Sequence, residues 1–294
     1  MTVVALLVPL IVAALVLVIV LLRAGLSQRT IRPRAEAVVL GATTNFFDTL
    51  GIGSFAPSMA WMKFRSLVPD RLIPPTMIAG HTLPSITQAC VFLLLLGVRV
   101  DPVLLVGCIL ACVIGGLVGV PLAARAPVRV VQAAVGGALL TAAAFYILAN
   151  LNLMPAGGQA TSLPPTLMLV AIAANFVFGV LINFGVGNYA PTLAMLSLFG
   201  MDPRLAFPIM ASAASLCVAT TSIRLVRRPG LDLRMVLGMA LGGIPAVLVA
   251  AFVVRDIPVR PLRWLVVVVV LYAAVVLLRS SARPAEPRPA AAIP

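Results

Sequence analysis

Charged side chains are scarce in this sequence. Only 10% of the 294 residues are charged, against about 25% in an average soluble domain. By contrast, 62% are hydrophobic and the mean hydropathy is +1.16. A soluble fold could not cover its surface with so few polar groups. The sequence also lacks the alternation of apolar and polar residues that membrane β-strands show over about ten residues. Its long apolar runs therefore predict an all-α polytopic membrane protein.

Groups able to do covalent or metal chemistry are also few. The sequence has one histidine, His81, and its four cysteines all lie inside apolar segments. Cys108 and Cys112 share a helix face, but no histidine or second cysteine pair accompanies them as a zinc site requires. Metalloprotease, serine-hydrolase, P-loop and dinucleotide-binding motifs are absent. The sequence thus predicts neither an enzyme nor a bound cofactor or metal.

Basic residues exceed acidic ones. There are 21 Lys and Arg against 8 Asp and Glu, which gives a net charge of +13. Most of the basic residues lie in short loops between apolar segments, where the positive-inside rule accounts for them. No basic domain exists outside these segments, so the lipid bilayer is an expected partner and nucleic acid is not. The oligomeric state is left open.

Nine apolar segments approach or exceed the roughly 20 residues that a spanning helix needs. The first lacks a basic n-region and a small-residue cleavage site, so we expect a retained helix rather than a signal peptide. The Pro- and Ala-rich tail is expected to be disordered. The segments are Val3–Leu22, Ala37–Trp61, Ile73–Val98, Pro102–Ala124, Val130–Asn150, Thr166–Phe199, Arg204–Ile223, Leu233–Val254 and Leu262–Leu278.

Two of these segments contain a break. As one helix, Thr166–Phe199 would be about 51 Å long, against about 30 Å of hydrocarbon, and it contains NFGVGNYAP (183–191). Ala37–Trp61 contains FDTLGIGSFAP (47–57). If each folds back as a hairpin and the N-terminus lies outside, most basic residues fall on the cytoplasmic side, together with the C-terminus. A single crossing by each segment divides them more evenly, so the positive-inside rule favours hairpins.

The two breaks belong to an internal repeat. With a shift of 134 positions, GIGSFAPS (51–58) aligns with GVGNYAPT (185–192). Each copy then comprises a broken hairpin and three spanning helices, and because three is odd, the second copy enters the membrane inverted. Such inverted repeats are a recurring transporter architecture. The predicted division is residues 1–35, an extra N-terminal helix and basic loop; 36–150, the first repeat; 151–165, an external linker; 166–280, the second repeat; and 281–294, the tail.

Two stretches carry a resemblance to a known family. One is the apolar segment followed by G-I-G and A-P, and the other is SIRLVRRPGLDLRMVLGMALGG (222–243), with its basic turn, Asp232 and glycine-rich helix. Over about residues 36–280 the sequence resembles the TauE/SafE family of membrane permeases. The resemblance implies export of small sulfur-containing anions such as sulfite or organosulfonates. The sequence departs from the family pattern at Ser54 and Phe55, where further glycines are common.

The two breaks are the candidate substrate site. Glycine lets the backbone approach a ligand, and the helix that resumes after a break presents its positive end to an anion. Polar side chains at the tips can hydrogen-bond an anion. Alternatively, the glycines only allow close helix packing. The candidate substrate-binding residues are Asn45, Gly51, Gly53, Ser54, Asn183, Gly185, Gly187 and Asn188.

Asp48 and His81 are the candidate proton-coupling residues. A carboxylate at membrane depth is costly and burial favours its neutral form, so Asp48 could take up a proton when the anion binds. His81 could relay a proton, bind an anion or pair with Asp48. Alternatively, both are structural, with Asp48 held by His81 or a backbone N–H. The family commonly has small residues at these positions.

The sequence as a whole predicts a secondary transporter of a small anion, sulfite or an organosulfonate, in the cell membrane. Alternating access around the two tips is the expected mechanism, and proton coupling through Asp48 is a hypothesis. Two alternatives stay open: a membrane scaffold or accessory subunit that does not transport, and an anion channel. The broken helices count against a scaffold, and the lack of a visible polar-lined or charged-ring pore counts against a channel.

Overall fold

The computed structural model describes residues 2–28, 32–50, 53–69, 72–95, 100–123, 158–226, 230–256 and 259–282, together with scattered positions between 129 and 151. Over these residues the chain is helical, and the one β feature is an isolated bridge between Ala160 and Met201. The predicted all-α fold class is confirmed. The predicted segment Val130–Asn150 is represented only by scattered helical positions, and residues 152–157 of the linker and 283–294 of the tail lie outside the described residues.

Ten helices have defined bounds within the described ranges. Six of them are long and apolar enough to cross a membrane, namely α1, α4, α5, α6, α8 and α9. The bounds are α1 Thr2–Gln28, α2 Ala35–Thr49, α3 Phe55–Phe64, α4 Ile73–Leu95, α5 Pro102–Ala123, α6 Pro165–Ile182, α7 Tyr189–Leu198, α8 Pro203–Leu225, α9 Leu233–Asp256 and α10 Val259–Ala282.

The first broken segment is a helical hairpin. With 15 residues α2 is about 22 Å long, and α3 with 10 residues is about 15 Å, so neither crosses the hydrocarbon alone. The end of α3 returns to the start of α2, where Arg65 Nε donates a 2.9 Å hydrogen bond to Glu36 Oε1. This hydrogen bond lowers the pKa of Glu36, so Glu36 stays ionised to a lower pH than an ordinary glutamate does. Both ends of the first hairpin therefore lie at the same level of the molecule.

The second broken segment closes at its base through the backbone. The strand-like residues before α6 run beside those that follow α7, with Gly158 N–H and Ala160 N–H both donating to Gly200 O at 2.9 and 3.1 Å. Asp202 N–H donates in return to Ala160 O at 3.2 Å. Like the first hairpin, this one starts and ends at the same level of the molecule.

Each hairpin packs mainly on a helix of the other predicted repeat. The most extensive contacts of α2 are with α9, and those of α6 are with α5. At the α2–α9 crossing a Cβ atom on Gly41 or Gly242 would strike the backbone of the facing helix, and at the α5–α6 crossing the same holds for Gly115 and Gly179. Small residues let membrane helices approach this closely, because lipid offers little hydrophobic drive for association.

The centre of the molecule is the antiparallel crossing of α4 and α8. Thr82 Oγ1 lies 2.6 Å from Ser222 Oγ, and near the other end the rings of Phe92 and Phe207 meet edge to face at 5.2 Å. These two helices are counterparts, meaning that they occupy corresponding positions in the two predicted repeats. The inverted membrane insertion of the second copy stays a prediction.

Candidate functional site

The two hairpin tips form the site. In the first, α2 ends at Thr49 and α3 begins at Phe55; in the second, α6 ends at Ile182 and α7 begins at Tyr189. Each break contains a described glycine in the left-handed region, Gly53 at φ +82° and Gly185 at φ +80°. Side chains with a Cβ rarely adopt this conformation. The glycines therefore allow the chain to reverse direction at each of the two tips.

The tips face each other reciprocally. A Cβ atom on Gly53 would lie 3.9 Å from Cβ of Tyr189, and one on Gly187 would lie 3.6 Å from Cβ of Phe55. Gly53 corresponds to Gly187, and Phe55 to Tyr189, at the shift of 134 positions. Each tip thus places its glycine under the aromatic residue of the other tip, as two copies related by an approximate two-fold axis would do.

The contacts between α4 and α8 are reciprocal as well, but here the corresponding residues are 133 positions apart in the sequence rather than 134. Ser215 Oγ donates to Ser85 O at 2.6 Å, and Thr82 Oγ1 makes the corresponding weak contact with Val218 O at 3.5 Å. The sequence alignment without a gap is therefore off by one residue here. Under this register the counterpart of His81 is Ala214.

A small buried cavity lies between the tips and the α4–α8 crossing, with room for about one water molecule. Counterpart residues face it from both repeats. A larger ligand would require the tips to move apart. The lining residues are Asp48, Gly53, Ser54, Phe55 and Ser85 from the first repeat, and Ile182, Gly187, Asn188, Tyr189, Ala214 and Val218 from the second.

Several polar atoms of this lining have no hydrogen-bond partner among the described residues. Asp48 Oδ1 accepts from Ser54 N–H at 2.5 Å, whereas its Oδ2 atom has no partner. Asn188 Nδ2 and Tyr189 Oη are also unpartnered, although each of these three residues is at most 4% exposed. Buried polar groups in native proteins are nearly always paired with protein, water or ligand. Two donors and one carboxylate oxygen without described partners, on residues that line one cavity, therefore indicate a site for a polar ligand.

His81 joins three helices and does not line the cavity. From α4, its Nδ1 atom lies 3.1 Å from Asn45 Oδ1 on α2, and its Nε2 atom lies 2.8 Å from Ser58 Oγ on α3. Because Asn45 Nδ2 donates to Gly41 O, the Asn45 oxygen faces the imidazole and Nδ1 is the donor. Ser58 then donates to Nε2 of a neutral ring. The partner of Asp48 is a backbone N–H and not His81.

The predicted substrate-binding residues divide into two groups. Four of them line the cavity: Gly53, Ser54, Gly187 and Asn188. The other described ones do not, because Asn45 bonds His81, Asn183 Nδ2 donates to Gly116 O at 2.9 Å, and Gly185 lies against Met59. Gly51 lies outside the described residues.

Sequence reasoning missed Tyr189, Phe55 and Ser85. Tyr189 and Phe55 are adjacent to Asn188 and Ser54, and the repeat alignment pairs them with each other. That pairing could have marked them as tip residues. Ser85 could not have been found in this way, since its counterpart Val218 is apolar and only the helix crossing brings it to the cavity.

Two broken hairpins that meet at a small cavity in a helical protein are the arrangement found in membrane transporters built on discontinuous helices. The family model described as Sulfite exporter TauE/SafE matches residues 167–294, which confirms the predicted resemblance over the second predicted repeat. This is a family of membrane transporters rather than of enzymes. No curated protein and no solved structure matches the chain.

Proposed function

We propose that the protein moves a small oxyanion, sulfite or an organosulfonate, across the cell membrane by alternating access at the two tips. The observation that carries the proposal is the buried cavity between counterpart residues, with Asn188 Nδ2, Tyr189 Oη and Asp48 Oδ2 left without partners among the described residues. The choice of a sulfur oxyanion rests on the family match.

The site suits an anion bound by neutral donors. Asn188 offers an amide N–H and Tyr189 a phenolic O–H, and no Lys, Arg or His lines the cavity within the described chain. The N-termini of α3 and α7 begin at the cavity and supply the positive ends of two helix dipoles. A site of this kind binds an anion without a positively charged side chain, so the anion can be released again.

Asp48 gives this site a means of proton coupling. An ionised carboxylate would repel an anion held nearby, and desolvation makes that repulsion stronger. With a proton on Oδ2, the same group becomes a third donor toward the anion. Binding of the anion therefore favours protonation of Asp48, and one proton travels with the anion. Its counterpart Ile182 cannot titrate, so the pair of tips carries one such proton.

The direct test is uptake of labelled sulfite, sulfoacetate and taurine into proteoliposomes, with pH gradients of either direction. We expect saturable uptake of at least one anion, driven by the gradient, and its loss in Asn188→Leu. Asp101→Asn, which keeps a capping residue at the start of α5 and lies outside the cavity, is the control. Non-saturating conductance would favour a channel. Folded protein that transports none of them and co-purifies with a soluble enzyme would favour a scaffold.

A further inference from the structure

The two repeats differ where the tip packs on its central helix. In the first, Ser58 of α3 is hydrogen-bonded to His81 of α4. In the second, the counterpart of Ser58 is Thr192 of α7, and the counterpart of His81 is Ala214 of α8. α7 contacts α8, as α3 contacts α4. The second repeat therefore has the hydroxyl but lacks the imidazole that would bond it.

The hydrogen bonds agree with this difference. Thr192 Oγ1 is buried, with the residue 0% exposed, and it has no partner among the described residues. Ala214 lines the cavity, and so does Tyr189, whose counterpart Phe55 stacks on the His81 ring with centroids 5.7 Å apart. The cavity thus reaches Ala214, the residue of the second predicted repeat that corresponds to His81 of the first.

We propose that this place is a ligand subsite, in which an oxygen of the transported anion occupies the position of the missing imidazole and accepts a hydrogen bond from Thr192. The inference rests on the proposed function and deepens it. Asn188 and Thr192 are one helical turn apart at the start of α7, so both can donate to one anion from the same face. Together with Tyr189 they place three donors without described partners on the second tip, while the first tip is already bonded to His81.

Because of the subsite, the two tips also differ in how firmly they are held in place. The first hairpin is attached to α4 through Asn45, His81 and Ser58. The second tip has its corresponding contacts only when the ligand is present. The ligand therefore completes the packing of α7 on α8, and an empty site leaves α7 with fewer restraints.

The matched pair Thr192→Val and Ser58→Ala tests the subsite. Thr192→Val conserves volume and breaks no bond within the described protein, so its melting temperature should equal or exceed that of the wild type. We expect the apparent affinity for sulfite, measured by thermal shift and by uptake, to fall about tenfold, the usual effect of losing one charge-assisted hydrogen bond. Ser58→Ala should lower the melting temperature and leave the sulfite affinity within about twofold of the wild type.

A gain of contact provides the converse test. Ala214→His restores the imidazole of the first repeat beside Thr192, so we expect little or no sulfite uptake and a melting temperature at or above that of Ala214→Ser, the small polar control. Unchanged sulfite affinity in Thr192→Val, or full uptake by a folded Ala214→His, would overturn the subsite while the transport function stands. Folded wild-type protein with no response to sulfite, sulfoacetate or taurine would overturn both the proposed cargo and the subsite.

Discussion

At the scale of single residues, a variant of Asp48 can separate the proposed proton coupling from anion binding. Asp48 lines the cavity, its Oδ1 atom is fixed by the Ser54 N–H, and its Oδ2 atom has no partner among the described residues. In Asp48→Asn the amide can still accept from Ser54 and donate toward the anion, but it cannot release a proton. We expect sulfite uptake that no longer responds to a pH gradient, measured in proteoliposomes with sulfite held constant. An unchanged response in this variant would remove Asp48 from the coupling step.

His81 has a positioning role that can be measured separately. His81→Phe keeps a ring at the position but leaves Asn45 Oδ1 and Ser58 Oγ without their partner. Each orphaned buried group costs roughly 1–3 kcal/mol, so we expect a clear loss in the free energy of unfolding. Chemical unfolding in detergent measures that loss, and proteoliposome uptake measures the pH profile, whose shape should not change. A shifted pH profile with normal stability would instead assign proton transfer to His81.

The residues at the tips can be predicted from the sequence, whereas the hydrogen bonds between helices around the tips cannot. Gly53, Ser54, Gly187 and Asn188 follow from the repeated motif, because the motif itself forms the tip. The bond between His81 and Ser58 could not be predicted, since it depends on how α3 lies against α4. For the same reason Asn183, which looks like a tip residue in the sequence, proves to bond Gly116 of α5.

At the scale of helices, the α2–α9 crossing depends on the absence of side chains. A Cβ atom on Gly242 would overlap the carbonyl of Val38, so Gly242→Val must separate the two helices. Overpacking of this kind costs roughly 1–3 kcal/mol or more. We expect a lower melting temperature and weaker sulfite uptake, because α2 carries Asp48. Gly137→Val, where a Cβ would meet no described atom within 4 Å, is the control and should behave like the wild type.

The positive φ of Gly53 gives a milder prediction at the same scale. Gly53→Ala has room for its methyl group, which would lie in ordinary contact with Tyr189. The cost is the left-handed backbone, about 1–2 kcal/mol. We expect a modest fall in melting temperature with sulfite uptake largely retained. Loss of uptake without loss of stability would show that ligand, and not backbone strain, requires the glycine.

Helix existence is predictable here, and helix register is less so. Apolar length and the two glycine breaks predict the described helices closely, because both depend on local chemistry. The ungapped repeat alignment places α4 and α8 one residue out of register, because turn lengths on the two sides differ and short loops tolerate such changes.

At the scale of the whole molecule, the hairpin bases report the orientation of the two repeats. Phe64 at the end of α3 is 88% exposed, and Ser162 before α6 is exposed as well. If the second copy is inverted, Phe64→Cys should react with a membrane-impermeant maleimide only from the cytoplasmic side, and Ser162→Cys only from the outside. The parent protein, with three buried cysteines and the half-buried Cys90, is the control. Labelling of both from one side would contradict the inversion.

The reciprocal packing of α2 on α9 and of α6 on α5 has a consequence for biosynthesis. When α2 leaves the ribosome, the helix that covers its glycine face has not yet been translated, and most of the chain must follow before α9 arrives. The first hairpin, with its buried carboxylate, must therefore wait in the insertion machinery or against a membrane chaperone. Neither half can finish folding by itself, and two separately expressed halves would need each other from the start.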